Sequence, residues 1–184
     1  MLWIFWVLII LLILIVIMFI SYFNRFVVLG NRIDNSLSQI DVQLRKRADL
    51  IPNLMSTVKG YVKHEKEIFK QLTDARKSIM TAQDLPTKMK AGNKMQAALK
   101  TIFAIAESTP QLKANENFLQ LQQELSAIED KVAYSRQFYN DSILDYNQAV
   151  KTFPGNIFAG IYGKKEKPYL QIPEAARAVP KVSF

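Results

Sequence analysis

The sequence predicts an all-α protein: an N-terminal transmembrane helix followed by an antiparallel up-down bundle of three to four long helices. Three observations carry this. The first twenty residues hold no charged or amide side chain. Apolar residues then recur in sevens along most of the chain. Clusters rich in proline and turn-forming residues separate the periodic stretches, as they do between packed helices.

Residues 1–23 are expected to be a membrane anchor. Twenty apolar residues at about 1.5 Å each span about 30 Å, the thickness of a bilayer's hydrocarbon core. Trp3, Phe5 and Trp6 lie at one end and Tyr22, Phe23 and Phe26 at the other, where aromatic rings favour the membrane–water interface. A cleaved signal peptide would have a shorter apolar core, a basic start and a small-residue cleavage site. No Lys or Arg precedes the apolar block, whereas Arg25, Arg32, Arg45, Lys46 and Arg47 follow it. The positive-inside bias therefore predicts a single-pass protein with its N-terminus outside and its body in the cytoplasm. The chain has no cysteine, which removes disulfides, thiol chemistry and zinc thiolates from consideration.

Residues 24–154 are expected to be the bundle, with helices at about 24–81, 86–107 and 115–152. In the first, Ile33, Ile40, Arg47, Leu54, Tyr61, Ile68 and Ala75 form one stripe. Leu37, Leu44, Ile51, Val58, Glu65, Leu72 and Ile79 form the other. Only Arg47 and Glu65 break the apolar seam. Gly30 interrupts continuity with the anchor. Pro52 lacks an N–H and its ring opposes the carbonyl four residues back, so it kinks the helix or breaks it. The unchanged heptad phase favours a kink. Met95, Leu99, Ile102 and Ala106 are the stripe of the second helix, bounded by "QDLPT" and "ESTPQL". In the third, Phe118, Leu125, Val132, Tyr139, Tyr146 and Phe153 fall at strict sevens beside Leu121, Ile128, Ser135, Ser142 and Ala149. That second stripe turns small halfway along, which lets a neighbouring helix come close.

The motif search finds little chemistry. "HEKEIF" around His64, the sole histidine, lacks the second histidine of a zinc-protease helix, so His64 is expected to be an ordinary helix-face residue. The carboxylates of the third helix lack the Glu-x-x-His pattern of di-iron bundles. Phosphate loops and nucleophile elbows are missing. The reading is a non-enzymatic protein with no catalytic residue, cofactor or metal. The net charge of +8 is dispersed without a recognition motif, which points away from nucleic acid and suits anionic lipid headgroups.

One polar constellation stands out. "YND" and "DYN" place Tyr139 and Tyr146, and also Asn140 and Asn147, seven residues apart. Buried polar groups need hydrogen-bond partners. The early part of the first helix, with Asn31, Arg32, Asn35, Gln39 and Arg47, is the expected source. The result would be a network that fixes helix register; a ligand pocket is the alternative. Residues 155–184 form a tail with a short amphipathic segment. Its Ile157, Phe158, Ile161 and Tyr162 are expected to cover the bundle's end, to bind the bilayer surface with Lys164, Lys165 and Lys167, or to contact another subunit.

Four stretches carry a family resemblance: "NRIDNSLSQIDVQLRKRADLIPNLMSTVKGYVKHEKEIF", "LKANENFLQLQQELSAIEDKVAYSRQFYNDSILDYN", "FPGNIFAGIYG" and the terminal "PKVSF". From about residue 22 to the last, the chain resembles the LemA family. The resemblance implies a single-pass bacterial membrane protein with a helical-bundle body. It implies no catalytic residue, cofactor or substrate. The expected function is a self-assembling scaffold or organiser at the membrane, with the bilayer, further copies of itself and other membrane proteins as partners. The alternative is a monomeric module that offers a bundle groove to a peptide or a membrane protein.

Overall fold

The computed structural model describes residues 2–61 and 65–170. These residues are all-α, with helices α1 (Leu2–Val58), α2 (Lys66–Thr81), α3 (Leu85–Glu107), α4 (Pro110–Lys113), α5 (Glu116–Lys151) and α6 (Gly155–Ile161). They fall into two compact units. One joins the residues up to Ser36 with those from Arg136 onward; the other is Leu37–Ser135. His64 and the terminal "PKVSF" lie outside the described residues.

In the Leu37–Ser135 unit the core is the one the heptads outline. Ile40, Leu44, Ile51, Leu54 and Val58 of α1 are buried, with Leu72, Ala75 and Ile79 of α2 and Met95, Leu99, Ile102 and Ala106 of α3. Phe118, Leu125 and Val132 of α5 complete it. Side-chain pairs fix the helix directions. Thr73 and Arg76 of α2 reach Met55 and Ala48 of α1 in reverse order. Lys88 and Gln96 of α3 reach Asp41 and Arg47 of α1 in the same order. The three helices therefore run up, down and up.

The first helix departs from the sequence expectation. It does not continue to residue 81 but ends at Val58, followed by a turn over residues 59–61. Tyr61, expected in the seam, is exposed. Seven residues, 59–65, separate α1 from α2. That is the length of one heptad, so the phase survives a break and cannot report it. Pro52, by contrast, lies inside α1. Its missing N–H leaves the Ala48 carbonyl without the usual helical donor, and Arg76 Nε of α2 donates to that carbonyl at 3.1 Å. Gly30 does not interrupt α1 either.

Caps set the later helix starts. The Asp84 carboxylate accepts from the Thr87 N–H at 2.7 Å, with Pro86 in the first turn of α3, and the Asn115 side chain accepts from the Phe118 N–H at 3.0 Å. Both are N-cap arrangements.

In the other unit, α5 runs antiparallel to α1, since Phe26 meets Tyr146 and Arg32 lies over Phe138. Ser36 and Ser142 are buried and satisfied by their own helices, donating to Ile33 O and Phe138 O at 2.7 Å each. Such back-bonding lets a small polar residue sit in a close-packed seam. Phe153, expected in the stripe of the third helix, lies beyond the end of α5 and is 80% exposed.

Candidate functional site

On the α5 face that carries Asn140 and Asn147, the hydrogen-bond partner is the tail. Residues 164–170 follow α6 outside any helix, and side chains of α5 hold their main chain. The Asn147 side chain binds the main chain of Lys167 twice: Nδ2 donates to the Lys167 carbonyl at 2.8 Å, and Oδ1 accepts from the Lys167 N–H at 2.9 Å. One heptad earlier, Asn140 Oδ1 accepts from the Leu170 N–H at 2.9 Å. Lys167 Nζ lies 5.3 Å from the Tyr146 ring centre, a cation–π contact. Lys151 Nζ meets Glu166 at 2.7 Å.

Tyr139 and Tyr146 are buried in this face. Burial raises both phenols above their ordinary value, with the Asp34 carboxylate adding to the effect at Tyr139. Both stay protonated and neutral through the physiological range. Burial likewise lowers Arg136. Arg32, one of the expected partners, pairs with Asp145 at 2.9 Å.

Arg47 is not part of this group. It lies in the Leu37–Ser135 unit, 1% exposed, with its guanidinium on Gln96 of α3 and Glu129 of α5. The five residues expected as one network thus belong to two separate ones. The charged break in the heptad seam is a buried guanidinium paired with a half-buried carboxylate of α5 and held by Gln96 of α3.

The amphipathic tail segment is α6. Its four singled-out residues divide. Phe158 stacks on Tyr22 at 4.8 Å, and Tyr162 packs on Phe19 at 4.9 Å and Phe23 at 5.5 Å. The Tyr162 hydroxyl donates to the Phe19 carbonyl at 2.6 Å. Ile157 and Ile161, one turn apart on α6, are 54% and 60% exposed. Gly155 permits the turn from α5 into α6, because a Cβ there would run into the Ala149 carbonyl and press on Tyr22.

Among the described residues no three His, Asp or Glu side chains gather as a metal site would need. An open groove of about 650 Å³ lies between α2 and α3, lined by Gln71, Asp74, Ser78, Thr87, Lys90 and Lys94. Sequence reasoning found the asparagines through their spacing but missed their ligand. The available signal was that a backbone needs no side-chain motif to be bound.

Comparison with known proteins gives a family and named relatives. The family description "LemA family" matches residues 36–184. Magnetosome protein MamQ 2 of Paramagnetospirillum magneticum is 24% identical, over 81% of this chain and 64% of the relative. Magnetosome protein MamQ of Magnetospirillum gryphiswaldense is also 24% identical, over 80% and 64%. Protein LemA of Metamycoplasma hominis is 27% identical, over 70% and 59%. The chain thus matches less than two thirds of the length of these relatives.

Proposed function

This chain belongs to the LemA family, and from that premise we propose that it is a membrane-anchored scaffold that assembles with copies of itself. The family and its magnetosome-protein relatives point to a membrane-associated helical protein. None of these names is that of an enzyme. The N-terminal part of α1 is long and apolar enough to cross a membrane, and its side chains are not buried within the chain. The basic residues that follow support a body on the cytoplasmic face of the inner membrane.

One observation carries the assembly reading. Ile157 and Ile161, one turn apart on α6, form a short exposed apolar stripe beside residues that pack on the end of the anchor, and Phe153 just before the helix is exposed too. Copies held in one bilayer would present this stripe at the same height, where each can meet a neighbour's. A second reading, a monomeric peptide-binding module, draws on the extended segment held against α5.

Light scattering and negative-stain imaging of the full-length protein in mild detergent test the proposal. A discrete particle larger than a monomer is expected, and the Ile157→Ser/Ile161→Ser variant should shrink it. A monomeric wild type would refute the scaffold. A large particle unchanged by the double substitution would assign the stripe to the bilayer surface.

A further inference from the structure

We propose that Asn140 and Asn147 form a main-chain clamp for an extended peptide, and that copies of this protein exchange their 164–170 segments through it. The inference rests on the scaffold reading and supplies it with a specific contact.

The clamp reads backbone. Among the described residues its three hydrogen bonds go to main-chain N–H or C=O groups, of Lys167 and Leu170. The spacing is matched on the two sides. Seven residues of helix from Asn140 to Asn147 advance about 10.5 Å. Three residues of extended chain from Lys167 to Leu170 advance about 9–10 Å. Residues 164, 167 and 170 are half-buried and those between them are exposed, the threefold pattern of a polyproline-like strand with one edge on a helix. Pro168 suits that conformation. The clamp has two rungs, since one heptad to either side stand Ala133 and Pro154.

Exchange follows from how the segment is held. No side chain from 164 to 170 is fully buried, so the segment leaves no core behind when it departs. Its ion pair, Lys151 with Glu166, is exposed on both sides and contributes little. Gly163, at φ +63°, stands at its base, a position where a glycine can redirect the chain without strain. A second copy carries the same segment, and anchoring in a common bilayer would bring it to the same height at high effective concentration. Swapping an identical element between protomers creates an interface without evolving a new one.

Full-length chains with single cysteines test this, because the natural sequence has none. Lys151→Cys and Glu166→Cys chains, differently tagged, would be co-expressed and treated with a short bis-maleimide. The double variant within one chain reports the unexchanged arrangement. Crosslinks between the two single variants are expected. Adding Asn140→Ala/Asn147→Ala to both should cut them about ten-fold or more, with helix content by circular dichroism unchanged. A Lys131→Cys/Glu166→Cys pairing off the clamp should stay uncrosslinked. Crosslinks confined to the double variant, or crosslinks that survive loss of both asparagines, would overturn exchange. Particle size measured on the same samples separates this failure from that of the scaffold: large particles without exchange leave the scaffold standing, and monomers sink both.

Discussion

The Arg76 guanidinium is expected to matter because of Pro52, and the dependence can be measured. Ala48 is fully buried, and its carbonyl faces a residue that has no N–H to give. Arg76 Nε supplies the missing donor at 3.1 Å. A hydrogen bond from a charged donor to such a group contributes about 1.5–3 kcal/mol. Arg76→Met keeps the aliphatic stem and removes the donor, so it should cost about 2 kcal/mol, or about 4–8 °C in Tm for a chain of this size. Pro52→Ala restores the helical N–H to the same carbonyl. In that background Arg76→Met should cost about 0.5 kcal/mol or less, a coupling of about 1.5 kcal/mol. Pro52→Ala alone should stabilise by about 1–2 kcal/mol, the relief of an interior proline less the freedom returned to the unfolded chain. Thermal unfolding of the four full-length proteins in detergent, followed by circular dichroism, gives all the values. An equal cost of Arg76→Met in both backgrounds would refute the reasoning.

Removing the two ends of the buried ion pair should have unequal effects. Glu129→Ala removes the counter-charge of a guanidinium that is 1% exposed and should cost about 3 kcal/mol, whereas Arg47→Met leaves a carboxylate that is 33% exposed and should cost about 1 kcal/mol; urea titration of both variants decides. Gly155→Ala should destabilise by about 2 kcal/mol or more, because its Cβ meets main chain. Gly92→Ala should stay within about 1 kcal/mol of wild type, because its Cβ meets only the movable end of Leu44 and gains helix propensity; paired thermal melts compare them. Hydrogen bonds from the Thr87 hydroxyl and N–H hold the Asp84 carboxyl below its ordinary value. The cap's contribution is therefore complete above the ordinary carboxylate range and is lost as pH falls through the lower folded value. Asp84→Asn should keep the cap and remove that acid dependence, as read by melts across the acid range.

Much of the fold was legible because heptads report burial directly. Spacing alone places Leu44, Ile51, Leu54, Leu125 and Val132 in the core. The break after Val58 was hidden by arithmetic, since its length equals the period being counted. Arg47 was legible as an exception to the seam but not as the partner of Glu129. Period says which face a residue is on, not which charge another helix brings to it. The asparagine pair was visible and its ligand was not, because residues 164–170 are bound through atoms common to every residue. Phe158 and Tyr162 could be assigned to an amphipathic turn, yet their distinction from Ile157 and Ile161 depends on where α6 lands on the anchor.

The bond from Tyr162 to the Phe19 carbonyl has a mechanical consequence. It ties α6, with Lys164 and Lys165 just behind it, to the last turn of the apolar stretch. In a bilayer this makes a collar at a fixed depth along the rod. A helix without one can adjust to a thinner or thicker membrane by sliding along its axis. Here sliding inward would drag two lysines and a phenol into hydrocarbon, at a cost of several kcal/mol. The remaining freedom is tilt, so changes in membrane thickness would reach this protein as changes of angle rather than of height.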